Sequence, residues 1–202
     1  IGGYSASASI LGKPDLSFLT LTEMVDCVRR IVGVVHIPVF VDGDTGHGGV
    51  LNVRHTVKEI ERTGAAGMFI EDQVFPKRCG HMLNKQVIEK ERMIAKIKAA
   101  VDARVDDDFV IMARTDALAV YGLEDAIDRA NLFRQAGADL IFVEAPTTVE
   151  QMRAIMEAAD QTDSPVIVQA SAGAPIGAPG GQPLRADAEP FAEDRLQFRC
   201  LD

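Results

Sequence analysis

The run Glu71-Asp72-Gln73-Val74-Phe75-Pro76-Lys77-Arg78-Cys79-Gly80-His81 holds a pair of carboxylates, a pair of fixed cations, a thiol and an imidazole. It follows Ala65-Ala66-Gly67-Met68-Phe69-Ile70, an apolar stretch that reads as a buried strand. Glu71 and Asp72 therefore stand where a strand ends, with Lys77, Arg78, Cys79 and His81 in the loop beyond. A cysteine flanked by cations has its thiolate favoured and its pKa lowered, which suits it to reactivity or proton transfer near neutral pH. Gly80 lets the backbone turn tightly beside it. A solvated basic loop with an incidental buried thiol accounts for the same residue types.

The elements that must position these groups recur along the chain. Residues 1–20 are rich in Gly and Ser and read as a loop. A helix is expected over 22–32, capped by Thr22, with Met24, Val25, Val28, Ile31 and Val32 as its apolar stripe. A short strand follows at 37–41, then helix 52–63, strand 67–71, and a long helix over 87–103 with Ile94, Ile97 and Val101 inward. Next come strand 109–113, helix 123–136, strand 140–143, helix 149–159 and strand 166–168. The strands are continuous apolar runs, so both faces are expected to be buried, as in a parallel sheet with helical crossovers. A (β/α)8 barrel and a doubly wound open sheet both fit. Gly43-Asp44-Thr45-Gly46 lacks the spacing of a dinucleotide turn and carries an acid where a pyrophosphate would approach.

The ionisable residues fall at the strand ends: Asp42 and Asp44, then Glu71 and Asp72, then Arg114 and Asp116, then Glu144. An isolated Asp after a strand is usually a cap or turn former. Successive strands that all end in charge point instead to the common face of a barrel, where catalytic groups of that fold lie. Convergent carboxylates repel unless a cation sits among them, and with no His/Cys ligand set an oxygen-liganding Mg2+ or Mn2+ is the natural choice.

Composition bounds the partners. With 202 residues the chain can bury a sizeable core, and its net charge of −9 argues against nucleic acid or an anionic membrane as the main partner. Cys27, Cys79 and Cys200 are an odd set without metal spacing, which points to a reducing, cytoplasmic compartment. There is no signal peptide and no apolar run of membrane-spanning length. The chain lacks an initiator Met and reads as part of a longer product. Cys27 reads as a buried apolar residue, His36, His47 and His55 as ordinary loop or helix histidines, and Lys85 with the charges at 89–98 as a solvated helix face.

These residues resemble the isocitrate lyase/phosphoenolpyruvate mutase superfamily, most closely its methylisocitrate lyase and 2,3-dimethylmalate lyase branch. The resemblance covers residues 2–169. It rests on Leu11-Gly12-Lys13-Pro14-Asp15, Asp42-Gly43-Asp44-Thr45-Gly46, Ile70-Glu71-Asp72-Gln73, Lys77-Arg78-Cys79-Gly80-His81, Ala113-Arg114-Thr115-Asp116 and Phe142-Val143-Glu144-Ala145. It implies a (β/α)8 barrel that assembles as a homo-tetramer. By position, Asp44 is implied as the direct Mg2+ ligand, with Asp42, Asp15 and Glu71 holding the ion through water. Cys79 resembles the proton donor on a mobile loop, with Lys77, Arg78 and His81 as its supporting catalytic residues. Gly2 and Gly3 match the backbone that grips a pyruvate-like carboxylate, although the family usually has Ser or Thr at Gly2. Arg114 and Glu144 match residues that orient substrate and solvent. Gly80 and Phe142 face the substrate, Phe142 replacing the bulkier Trp of isocitrate lyases and leaving room for a methyl group.

The implied reaction is Mg2+-dependent cleavage of a 2-hydroxy di- or tricarboxylate such as 2-methylisocitrate to pyruvate and a dicarboxylate such as succinate. The alternatives are 2,3-dimethylmalate lyase or oxaloacetate decarboxylase-type activity, and a non-catalytic remnant of such an enzyme. The family's first strand and helix, and most of a second strand with a Tyr that assists deprotonation, have no counterpart before Gly2. Gln169 stands where Asn is usual. The chain is expected to divide into a partial barrel over 1–169 and an irregular Ala/Gly/Pro-rich tail over 170–202, such as a frame shift near residue 169 or a gene fragment produces.

Overall fold

The computed structural model describes residues 1–160 and 166–169; the expected tail at 170–202 lies outside them. Five strands, β1 (Phe40–Asp42), β2 (Gly67–Glu71), β3 (Val110–Thr115), β4 (Leu140–Glu144) and β5 (Val166–Gln169), form one sheet. Every neighbouring pair is parallel, and the spatial order follows the chain. A doubly wound sheet reverses its strand order at a switch point, so this order decides for an arrangement of the (β/α)8 type. Helices α1 (Gly3–Ala6) and α2 (Leu21–Val32) precede β1. The crossovers are α3 (Val50–Glu61), α4 (Lys90–Val101), the short α5 (Leu118–Tyr121) with α6 (Leu123–Gln135), and α7 (Val149–Asp160). Each long helix packs on the next: α2 on α3, α3 on α4, α4 on α6, α6 on α7.

The sheet is not evenly buried, contrary to what its apolar runs predict. Side chains alternate along a strand, and residues in register share a face. Val41, Met68, Ile70, Ile111, Ile141 and Val143 point to the helices and are no more than 1% exposed. On the other face Phe40, Phe69, Val110 and Leu140 stay half-buried, while Met112 and Phe142 are buried. That face continues into Asp42, Glu71, Arg114 and Glu144, so one periodicity separates the core from the chemistry. At the β1 edge, Ile1 donates to the Phe40 carbonyl at 2.6 Å, and the Asp42 N–H donates to the Ile1 carbonyl at 2.9 Å. This is how a parallel neighbour pairs.

Several boundaries differ from the sequence reading. The 1–20 segment is not all loop: α1 runs into a π-helical turn, Ser7–Leu11. β1 begins three residues later than expected, at Phe40, and β3 extends to Thr115. The α4 inner row is Met93, Ile97 and Ala100, with Ile94 and Val101 only half-buried. Cys27 is half-buried rather than a core residue. The cap of α2 is Thr20, not Thr22. Thr20 Oγ1 accepts from the Glu23 N–H at 3.3 Å, and Glu23 Oε2 accepts from the Thr20 N–H at 2.9 Å. This reciprocal box satisfies helix-end donors that Thr22 could not reach. Replacing Thr20 with Ala is expected to cost about 1 kcal/mol, read as a lower urea midpoint with an unchanged slope.

Candidate active site

The strand ends bring the acids together by register. Glu71 pairs with Arg114, and Arg114 with Phe142, so Glu71, Arg114 and Glu144 project on the same side. After β1 the chain turns at Gly43, and Asp42 itself organises the turn. Its Oδ1 accepts the Asp44 N–H at 2.9 Å and its Oδ2 accepts the Gly3 N–H at 2.8 Å. A Cβ on Gly3 would lie 3.0 Å from Asp42 Oδ2, 3.1 Å from Asp44 Oδ1 and 3.3 Å from Lys77 Nζ, so no larger residue fits without displacing the acids. Gly2 is different: a side chain there meets nothing nearer than Ser5 Oγ at 3.8 Å. The Gly3 N–H, expected to grip a substrate carboxylate, is committed to Asp42 in this structure.

Lys77 sits at the centre of the acids. Its Nζ lies 2.7 Å from Asp15 Oδ1 and 2.8 Å from Asp44 Oδ1, with its side chain only 2% exposed. Burial opposes the ammonium charge, but Glu71, Asp42, Asp44 and Asp15 outweigh that cost and hold it protonated far above its usual range. The acids respond in the other direction. Burial and the Asp42 charge push Asp44 up to about 7, against the pull of Lys77. Burial also drives Glu71 well above the usual carboxylate range and raises Glu144, with Arg114 opposing in both cases.

Arg114 is the second cationic centre. It donates through Nε to Asp116 Oδ2 at 3.0 Å and through Nη2 to Asp116 Oδ1 at 3.1 Å, and lies 3.4 Å from both Glu71 Oε2 and Glu144 Oε2. Its guanidinium also stands 5.4 Å from the Phe142 ring centre and 5.9 Å from that of Phe69. The aromatic expected to face a substrate thus packs against the arginine.

The loop after β2 covers these groups. Gln73 clamps it by donating to the Arg78 carbonyl at 2.8 Å and accepting the Arg78 N–H at 3.0 Å. The Cys79 N–H donates to the Asp15 carbonyl at 3.1 Å. A Cβ on Gly80 would fall 2.5 Å from Arg114 Nη2 and from Glu144 Oε1, so the loop backbone rests directly on that pair. The Arg78 side chain points outward and is exposed, His81 is half-buried, and Cys79 is buried. The expectation of a lowered thiol pKa is reversed. Burial pushes the Cys79 thiol up, with a backbone hydrogen bond from His81 and the Lys77 and Arg114 charges only partly offsetting it. The sequence showed the flanking cations but not that Arg78 faces away.

Two lysines and one acid outside the expected set belong to the same assembly. Lys85 is buried, not solvated, and Lys96 donates to the Thr45 carbonyl at 2.8 Å from within α4. Asp72 receives Thr115 Oγ1 at 2.7 Å, the Asp116 N–H at 2.9 Å and Arg129 Nη1 at 3.1 Å, which fixes the turn after β3. A lysine at a buried helix position is a signal only after the packing is known.

The donor set fits a hard divalent cation. Asp15, Asp42, Asp44, Glu71, Asp72, Asp116 and Glu144 are buried together with Lys77, Lys85, Lys96, Arg114 and Arg129, so buried acid outnumbers buried base among the described residues. Among the described residues neither carboxylate oxygen of Glu71 has a hydrogen-bond partner, and Asp44 Oδ1 meets Lys77 as an ion pair at 2.8 Å. Among the described residues no three acids, His or Cys already close around one point. Mg2+ needs no such cage, because it is commonly held by one or two carboxylates and keeps several waters.

The sequence matches the family described as phosphoenolpyruvate phosphomutase over residues 1–179. The chain belongs to the phosphoenolpyruvate mutase/isocitrate lyase superfamily. A 2,3-dimethylmalate lyase of Eubacterium barkeri is 50% identical over 155 residues, covering 77% of this chain and 54% of that protein. A 2-methylisocitrate lyase of Salmonella typhimurium is 50% identical over 160 residues, covering 79% of this chain and 54% of that protein. The structure of an oxaloacetate acetylhydrolase in complex with the inhibitor 3,3-difluorooxalacetate superposes with a TM-score of 0.79 at 37% identity, over 83% of this chain and 57% of that one. The chain thus spans about half the length of the curated superfamily relatives it matches. Among the described residues no helix is long and apolar enough to cross a membrane.

The raised Cys79 pKa has a direct readout. Iodoacetamide labelling of Cys79, followed by peptide-resolved mass spectrometry, is expected to stay slow through neutral pH and to climb only in the alkaline range. A raised folded pKa keeps the proton on sulfur at pH 7, so a labelling plateau already reached near neutrality would contradict the buried-thiol geometry.

Proposed function

We propose that this chain carries the active site of a Mg2+-dependent carbon–carbon lyase acting on a 2-hydroxy di- or tricarboxylate. The observation that carries the reading is a buried Cys79, its thiol pKa pushed up by that burial, on a loop seated over Arg114, Glu144 and a carboxylate cluster. Asp44 would hold Mg2+ directly, with Asp42, Asp15 and Glu71 holding it through water. When bound, Mg2+ supplies a Lewis acid at the substrate 2-hydroxyl and its adjacent carboxylate.

The residues of the chain do the remaining work. Lys77 supplies counter-charge between Asp15 and Asp44, and Arg114, braced by Asp116 and Glu144, offers a fixed cation to a substrate carboxylate. Transfer of the hydroxyl proton to a carboxylate of the cluster lets the C–O electrons form a carbonyl as the C–C bond breaks. The bonding pair moves to the carbon beside the departing carboxylate, and the Cys79 thiol delivers a proton there. A thiol held in its neutral form at pH 7 is in the correct state for that step. The loop backbone at Gly80 keeps bulk water from competing for the carbanion.

The substrate favoured is 2-methylisocitrate, with pyruvate and succinate as products, and 2,3-dimethylmalate is the closest competitor. Phe142, smaller than Trp, leaves room for a methyl group in either case. By the same resemblance the working form is a homo-tetramer in the cytoplasm. The purified protein is expected to release pyruvate from one of these acids with Mg2+ and to stop on EDTA addition. A Cys79→Ser variant should lose about 10²–10⁴-fold in kcat. No α-keto acid from either substrate, given a protein that melts cooperatively, would overturn the lyase reading.

A further inference from the structure

Lys85 lies beyond the loop residues to which the reaction gives a role, in a stretch whose composition reads as solvated. Its side chain is only 3% exposed. Nζ donates to the Gly80 carbonyl at 2.7 Å and to Asp116 Oδ1 at 2.7 Å. The first partner is the residue after Cys79. The second is the carboxylate that grips Arg114 through both Nε and Nη2. One ammonium therefore ties the thiol-bearing loop to the acid that sets the substrate-facing guanidinium.

We propose that Lys85 is a positioning residue that seats the Cys79 loop and Arg114 in one register. Gln73 holds the loop at the Arg78 backbone and the Asp15 carbonyl holds it at the Cys79 N–H. Lys85 holds it at the Gly80 carbonyl and, alone of these three, reaches across to Asp116 beyond β3. The tolerance at this junction is narrow. A Cβ on Gly80 would stand 2.5 Å from both Arg114 Nη2 and Glu144 Oε1, so a shift of the loop by less than an atom's width changes the contact with both groups.

Charge makes the seating selective. Asp116 is fully buried between Lys85 and Arg114, and its backbone N–H is held by Asp72. An apolar side chain at position 85 removes one of the two cations facing Asp116 and leaves the Gly80 carbonyl without this donor. Arg114 would then face Asp116 without Lys85 opposite, and the loop would lose this tie to the end of β3. Lys85 touches no reacting atom, so its removal acts through the placement of the thiol. The inference rests on the reading of Cys79 as the proton donor, but its structural part is measurable without any substrate.

The test uses the Lys85→Met protein, with Lys85→Gln as a second variant that keeps a donor but no charge. Iodoacetamide labelling, resolved by peptide so that Cys79 is read apart from Cys27 and Cys200, reports the seating of the loop. Cys79 labelling is expected to rise at least about tenfold in a variant that still melts cooperatively, as expected when a buried site opens more often. On the cleaved substrate, kcat is expected to fall about 10–100-fold with KM changed little, because the lost interaction matters mainly in the transition state. Unchanged Cys79 labelling in either folded variant would overturn the proposal. Absence of activity in the unaltered protein would instead count against the lyase reading, leaving the labelling result to decide the role of Lys85.

Discussion

Everything at the top of this sheet depends on balancing buried negative charge. Asp15, Asp42, Asp44 and Glu71 converge where water has little access, and such a cluster cannot stay ionised unaided. Lys77 provides the internal counter-charge, at 2.7 Å from Asp15 and 2.8 Å from Asp44. It is not enough for the whole set. Asp44 is held up at about 7, and Glu71 keeps both carboxylate oxygens without hydrogen-bond partners. A site left electrostatically short of positive charge is consistent with the hard cation proposed above, because its donors are carboxylate oxygens.

The same shortage explains why the loop after β2 lies where it does. Lys77 reaches the acids only if the chain between Gln73 and Lys85 folds back over the strand ends. Gln73, Asp15 and Lys85 fasten that fold at separate points of the loop. Folding back also buries Cys79, and burial raises its pKa in spite of the adjacent cations. The raised pKa of the thiol is thus a by-product of satisfying the carboxylates. The glycines follow from the same crowding: Gly3 and Gly80 lie where any Cβ would press on the charged groups.

The alternation of side chains along the strands lets one element serve two purposes. Met68 and Ile70 face the helices while Phe69 and Glu71 face the site, and Ile111 and Ala113 alternate with Met112 and Arg114 in the same way. Stability and chemistry are therefore carried by different faces of the same strand. The parallel register then brings Glu71 beside Arg114 without any further device.

Local sequence determined much of this. Apolar runs ending in Asp42, Glu71, Arg114 and Glu144 mark parallel strands and their charged ends, because both the two-residue period and the strand-to-loop boundary are written in adjacent residues. The capping box at Thr20 and Glu23 is equally local, yet Thr22 offers the same side chain two residues on, and the sequence reading placed the cap there. Tertiary structure alone decided the rest. Lys77 meets an aspartate 62 positions away, and Lys85 meets Asp116 across 31 positions. Whether a lysine is solvated, or a thiol acidic, depends on burial and on which distant charges face it. Those are properties of packing, and no window of neighbouring residues contains them.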